Sequence, residues 1–245
     1  MEATRITTKE IQKTQELIDF IKKSPSCYHV IHNIAEELEE AGYEQLNEAK
    51  EWTLRKGGRY FVTRNQSSLI AFTLPEETLG GFLICASHSD SPTFKLKSNY
   101  EMTVDDRYLK LNVEKYGGMI CSTWLDRPLS VAGRVVVNRK DGIESVLVNL
   151  DQDLCLIPNL AIHMNRQINE GYAYNAQKDM LPLLGEGTAK GKLKELLAEA
   201  AGVEEEALLG YDLFLYLREG GRIWGAEQEF YSSPKIDDLQ CAFAS

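Results

Sequence analysis

The sequence lacks the features that mark membrane proteins, exported proteins and nucleic-acid-binding proteins. No uninterrupted apolar run approaches the ~20 residues that a membrane-spanning helix needs, and the N-terminus contains no apolar signal segment. The formal net charge is -10, and no cluster of basic residues is visible that could neutralise phosphates. We therefore expect no membrane and no nucleic acid among the partners, which leaves small molecules, peptides and further copies of the chain.

Paired cysteines are also missing. The five cysteines are odd in number, form no Cys-x-x-Cys pair and fall mostly in apolar segments. They are Cys27, Cys85, Cys121, Cys155 and Cys241. Because disulfides form in oxidising compartments, this pattern favours buried thiols in a reducing compartment. The sequence thus predicts a cytoplasmic protein.

The apolar content is sufficient for one large core or two smaller ones, since 43% of the 245 residues are apolar and 26% are charged. Two amphipathic helices are predicted first. The pattern Thr7-x-x-Glu10 is a capping box that begins the first helix. Ser26 is expected to cap the second, which ends at Gly42.

Strand patterns dominate the rest of the chain. A polar turn separates predicted strands at 59–64 and 68–74, and the apolar run Gly81–Ser87 is predicted to be a buried central strand. From about Lys95, alternating apolar and polar residues predict an antiparallel sheet. Its strands are expected at 108–113, 119–124, 131–138, 144–149 and 213–217, with a helix around 193–200.

These patterns divide the chain into three segments, which make an α/β fold with a second unit. Residues 1–93 begin the α/β unit, residues 94–228 form a β-rich unit, and residues 229–245 return to the first unit. Since the first segment alone is too short to bury a parallel sheet, we interpret the β-rich unit as an insertion. Its apolar edges, such as Val135-Val136-Val137, are expected to need covering by another copy.

The first candidate site lies where Gly81–Ser87 runs into His88-Ser89-Asp90 and is stopped by Pro92. In open α/β sheets, functional groups gather outside the carboxyl ends of strands. His88 and Asp90 are two residues apart, so on an extended chain they share a face, and Asp90 can orient the imidazole or a metal bound to it. The alternative is a strand-end histidine that simply pairs with a neighbouring carboxylate.

A second polar group, Asp237-Asp238, stands just before a predicted helix. Aspartate at this position either caps the helix or, together with His88, supplies an oxygen that bridges two divalent ions. His29 and His32 lie three residues apart on the second predicted helix, where we expect structural or surface roles.

Seven motifs in order along nearly the whole chain resemble those of the aspartyl aminopeptidase (aminopeptidase I-type) zinc metallopeptidases. They are FIKKSPS at 20–26, RNQSSLIAF at 64–72, SHSDSP at 87–92, TWLDRPL at 123–129, AGR at 132–134, IPNLAIH at 157–163 and SPKIDDL at 233–239. The resemblance implies a zinc-peptidase catalytic domain, a mixed sheet with helices. This domain is interrupted by an inserted β-rich self-association domain, and its C-terminal part is missing from this chain.

The resemblance also implies site residues and partners. His88 and Asp237 would be zinc ligands in a family site of two ions, and Asp90 the catalytic-site residue that orients His88. The peptide bond between Asp237 and Asp238 is expected to be cis. The protein would act on peptides as a homo-oligomer in which His163 approaches a neighbour's substrate pocket, unless His163 is a core residue.

The chain departs from the family in two ways. It has Lys235-Ile236-Asp237-Asp238 where members have Arg-Leu-Asp-Asn, and the family's Glu-Glu pair, later Asp ligand and final His ligand have no counterpart. The expected function is a zinc-dependent aminopeptidase that removes N-terminal residues, acidic ones being one option, and that is incomplete as given. A related two-metal amide hydrolase and a non-catalytic assembly or regulatory subunit are the alternatives.

Overall fold

The computed structural model describes residues 6–245, and these residues form two compact units. The first unit comprises the described residues up to Ser91 together with Gly220–Ser245, and the second is Pro92–Glu219. The second unit therefore interrupts the first in sequence. Its end lies earlier than the expected residue 228, because residues 222–224 pair antiparallel with residues 230–232 and so belong to the first unit.

The helices and strands follow one another along the chain in three blocks. The first unit begins with α1 (Thr8–Lys23), α2 (Cys27–Glu40), β1 (Glu44–Leu46), β2 (Arg59–Arg64) and β3 (Ser68–Thr73). The second contains β4 (Thr93–Val104), β5 (Tyr108–Tyr116), β6 (Leu129–Arg139), β7 (Gly142–Asn149), β8 (Leu183–Glu186), α3 (Lys192–Ala201) and β9 (Leu208–Leu217). The first unit then resumes with β10 (Arg222–Trp224), β11 (Phe230–Ser232) and α4 (Ile236–Ala244). None of the helices within residues 6–245 has the length and apolar character needed to cross a membrane.

The start of α1 confirms the predicted capping box. The Thr7 backbone N–H donates to Glu10 Oε2 over 2.7 Å, and the Glu10 N–H donates back to Thr7 Oγ1 over 3.3 Å. The apolar face of α1 forms the core of the first unit with residues from α2 and α4. This core contains Leu17, Phe20, Ile21, Val30 and Leu239. A well-defined first helix thus supports the last helix of the chain.

The cap predicted for α2 is wrong in its chemistry. Ser26 precedes the helix, but its side chain makes no capping hydrogen bond to the backbone. The Ser26 Oγ instead lies 2.8 Å from His29 Nδ1, and burial, with smaller contributions from the charges of Lys235 and His32, lowers the pKa of His29 to about 4. His29 is therefore neutral in the folded protein at pH 7.

The neutral state of His29 predicts a loss of stability in mild acid. An unfolded histidine has a pKa near 6.5, so between pH 6.5 and about pH 4 the unfolded state binds the extra proton and is favoured. We expect His29 to remove up to about 3 kcal/mol over this range. Urea unfolding at pH 7, 5.5 and 4.5 should show His29→Asn, which keeps an acceptor for Ser26, less acid-sensitive than wild type. The control His32→Asn, which changes an exposed histidine, should lose stability in acid as wild type does. Acid sensitivity of His29→Asn equal to that of wild type would contradict the prediction.

The predicted hairpin is confirmed, whereas the predicted central strand is wrong. β2 and β3 pair antiparallel and β1 joins β2 in parallel, giving the order β1-β2-β3. Residues 81–87 form no strand and pair with none of the strands in residues 6–245. Phe82 and Ile84 are 82% and 81% exposed. An apolar run needs neighbouring strands to satisfy its backbone groups and bury its faces, and the described residues supply none there.

The second unit is built on one antiparallel sheet of order β7-β6-β9-β4-β5-β8. Residues from the sheet and from α3 form its core, including Phe94, Leu111, Leu129, Leu193 and Leu213. The antiparallel architecture predicted from the alternating pattern is therefore confirmed.

β6 is an interior strand, so the prediction that Val135-Val136-Val137 forms an apolar edge is wrong. β6 pairs with β7 on one side and with β9 on the other, and both Val135 and Val137 are buried. Its glycine has a steric role: a Cβ added to Gly133 would lie 2.1 Å from the Asp212 carbonyl oxygen of β9. The valines therefore stabilise the unit's own core rather than an interface.

Two smaller expectations also fail, and one strand is missing from the predictions. The predicted strand at 119–124 contains a 3-10 helix, Cys121–Trp124. The long β4 was not predicted as a separate strand. Of the thiols, which were expected to be buried, Cys155 is buried but Cys85 and Cys241 are exposed.

Candidate metal centre

His88 lies just after the exposed apolar segment and is held by Asp90. Its Nδ1 is 3.1 Å from both the Asp90 carbonyl oxygen and Asp90 Oδ1. Both atoms are acceptors, so Nδ1 carries the proton in this arrangement, and the neutral imidazole then presents a lone pair on Nε2. Orientation of a histidine by a carboxylate through its other ring nitrogen is a common arrangement around metal ligands.

Two carboxylates face the other ring nitrogen of His88, Nε2. Asp237 Oδ1 is 3.7 Å and Asp238 Oδ2 is 3.4 Å from His88 Nε2, and one ligand atom from each of the three residues lies within 4.8 Å of the others. One imidazole nitrogen and two carboxylate oxygens are donors that zinc accepts. The donor set therefore fits the implied metal, and it comes entirely from the first unit.

The electrostatics of the site couple metal binding to pH. Desolvation lowers the pKa of His88, but the hydrogen bonds to Asp90 and the charges of Asp238 and Asp90 together outweigh it, so the net shift is upward. The Cys241 thiol donates to Asp238 and lowers the pKa of that carboxyl. Since a metal must displace the histidine proton, binding should weaken as pH falls.

The segment that carries the carboxylates is anchored to α1 on both sides. After the pair, Leu239 is buried in the core of the first unit. Before it, Lys235 Nζ donates to the carbonyls of Ile21 and Ser24, and burial lowers the pKa of Lys235 to about 7. The bond between Asp237 and Asp238 is cis, which confirms that prediction.

His163 lies in the second unit, exposed in the turn that follows Ile162. The alternative of a core histidine is therefore wrong. The loop leading to it begins at Asn159, whose backbone N–H donates to Asp126 Oδ1 over 2.8 Å, so two of the motifs, 123–129 and 157–163, are joined structurally. An approach of His163 to another copy's pocket stays a prediction.

Two residues of this centre were not assigned from the sequence. The sequence predicts zinc ligation by Asp237 alone, although Asp238 stands beside it in the same acidic pair. The sequence shows Lys235 only as a departure from the family pattern. Its contacts could not be predicted because their partners lie 214 and 211 positions earlier in the chain.

Comparisons with known proteins agree with this fold. A family described as aminopeptidase I zinc metalloprotease (M18) matches residues 20–245. A Clostridium acetobutylicum protein named Probable M18 family aminopeptidase 2 is 44% identical over 243 residues, which cover 96% of this chain and 56% of the relative. The chain thus spans little more than half the length of this relative.

Solved structures show the same architecture. Chaetomium thermophilum mApe1 matches with a TM-score of 0.87 and 31% identity, covering 95% of this chain and 57% of that one. The S. cerevisiae mApe1 dodecamer matches with a TM-score of 0.78 and 30% identity, covering 95% of this chain and 54% of that one.

The mixed α/β fold is that of metallopeptidases of the aminopeptidase I type. The chain belongs to the M18 family of aminopeptidase I zinc metalloproteases.

Proposed function

We propose that this chain is the part of a zinc-dependent aminopeptidase that carries the first ligands of its metal site. The observation that supports this is the convergence of His88, Asp237 and Asp238 on one point in a chain of this family. N-terminal residues of peptides are the proposed substrates, acidic ones among them. Two ions per subunit are part of the proposal, and Asp237 would help to hold them.

When bound, zinc lowers the pKa of a coordinated water and polarises the scissile carbonyl. The chain's own residues prepare for this. Asp90 holds the Nδ1 proton of His88, so that Nε2 points at the carboxylates as a lone-pair donor. Asp237 and Asp238 supply negative charge that offsets that of a divalent cation. No carboxylate among residues 6–245 is assigned as the general base.

Self-association and location complete the proposal. The solved S. cerevisiae relative is described as a dodecamer, and the turn around His163 exposes Ile162 and Met164, which suits an interface between copies. The second unit is accordingly proposed as the self-association domain and the first as the catalytic domain. A cytoplasmic location is supported by the scattered, odd-numbered cysteines.

Zinc titration tests the site directly. Residues 1–245 should bind zinc weakly, since three protein donors leave the coordination incomplete, and the affinity should fall as pH drops and His88 takes up a proton. His88→Ala should abolish measurable binding in calorimetry. The matched control is His32→Ala, which removes an exposed histidine of α2 and should leave binding unchanged. Equal zinc affinity of His88→Ala and wild type would contradict the assignment of His88 as a zinc ligand. Zinc bound only at the exposed thiols would give that result.

A further inference from the structure

The side chain of Lys235 connects the carboxylate segment to the end of α1. Its Nζ donates to the Ser24 carbonyl over 2.6 Å and to the Ile21 carbonyl over 3.2 Å. The last carbonyls of a helix have no partner within the helix, and they carry the negative end of its dipole. The Lys235 Nζ supplies donors at this end of α1, where the Ser24 N–H also donates to the Ile21 carbonyl over 3.2 Å.

The acceptor end of this contact is itself fixed. Ser24 is fully buried, and Asn33 of α2 donates to the Lys23 carbonyl over 3.1 Å and to Ser24 Oγ over 2.9 Å. The C-terminal end of α1 is therefore held by α2 on one side and by Lys235 on the other. Because this end of α1 is held in place, Lys235, which contacts it, is held in place as well.

The backbone of Lys235 is unfavourable for a lysine. It adopts φ 59° and ψ 24°, the left-handed region that costs roughly 1 kcal/mol or more for a residue other than glycine. Glycine would be preferred here on backbone grounds alone. The presence of a lysine is explained by the contacts of its side chain.

We propose that Lys235 is a positioning residue that holds Asp237 and Asp238 at the metal centre. The pair lies between two anchors on α1: the ammonium of Lys235 before it and the buried side chain of Leu239 after it. The Leu239 N–H also donates to the Lys235 carbonyl over 3.2 Å, which links the anchors. The inference rests on the proposed metal site for its effect on zinc, but the anchoring itself needs no metal.

The first test is zinc affinity in residue 235 variants. Lys235→Met keeps the length of the side chain and removes the donors, and it should weaken zinc binding by about 10- to 100-fold, as loss of an outer support typically does. Lys235→Arg keeps hydrogen-bond donors at this position and should restore most of the affinity. The control is Lys22→Met, which removes an exposed lysine from the last turn of α1 and should leave affinity unchanged.

Lys235→Gly separates positioning from stability. It relieves the left-handed backbone, so the free energy of unfolding should recover relative to Lys235→Met, while zinc binding should stay weak. Zinc binding of either variant at the wild-type level would overturn the proposal.

Hydrogen exchange of the metal-free protein gives an independent measurement. The Leu239 amide should exchange faster in Lys235→Met than in wild type, and at the wild-type rate in Lys22→Met. If wild type fails to bind zinc, the proposed function fails, yet this exchange still decides the anchoring. An unchanged Leu239 exchange rate in Lys235→Met would refute it.

Discussion

An extended form of this chain is expected to hydrolyse aminoacyl anilides, whereas residues 1–245 are expected to show no turnover. The extension joins residues 1–245 to the part of the Clostridium acetobutylicum relative that this chain does not span. Residues 6–245 bring together three donors, while a two-metal site needs about three protein ligands per ion and a base. The measurement is hydrolysis of Asp-, Glu- and Leu-anilides by both forms, with metal analysis of each.

His88→Ala in the extended form should lower turnover about a thousandfold. A bound metal supplies several kcal/mol of transition-state stabilisation, and each 1.36 kcal/mol is a factor of ten in rate. The extended form with His32→Ala should match its parent. Two bound zinc ions with turnover by residues 1–245 alone would show that these residues supply enough ligands and a base. An extended form that stays active with His88→Ala would show that His88 is not part of the site.

Local sequence signals predicted the features that depend on a few neighbouring residues. The Thr7–Glu10 capping box, the β2–β3 hairpin and the alternating strands of the second unit all follow from spacing and turn chemistry. The pairing of His88 with Asp90 belongs to the same group, because two residues of an extended segment share a face.

The failures arise where the outcome depends on what packs against a segment. The run Gly81–Ser87 has the composition of a buried strand, but burial is a property of its surroundings, and here it is exposed. Val135 and Val137 are equally apolar, and they are buried because β7 and β9 flank their strand. Composition alone cannot distinguish these two cases.

For the same reason, only part of the candidate site could be predicted from the sequence. Asp237 was identified through its motif, but the meeting of residues 88 and 237 requires a chain reversal that no local pattern encodes. Lys235 illustrates this most clearly, because its role depends on the position of the end of α1 in space.

Oligomer formation is expected to depend on the turn around His163 in the second unit. Ile162 and Met164 are exposed there, and burying both between copies would contribute about 3 kcal/mol per contact or more. The double variant Ile162→Ser/Met164→Ser should therefore weaken assembly roughly a hundredfold. Light scattering over a concentration series measures this in wild type and variant.

The exposed segment Gly81–Ser87 provides the matched control, because we expect it to associate in a different way from the turn around His163. Phe82 and Ile84 are exposed on a segment that pairs with none of the strands in residues 6–245, and such a segment promotes open-ended aggregation rather than a closed assembly. Phe82→Ser/Ile84→Ser should therefore reduce slow aggregation while leaving the defined oligomer in place. A wild-type chain that stays a strict monomer, or an oligomer lost only in the Phe82/Ile84 variant, would reject the second unit as the self-association domain.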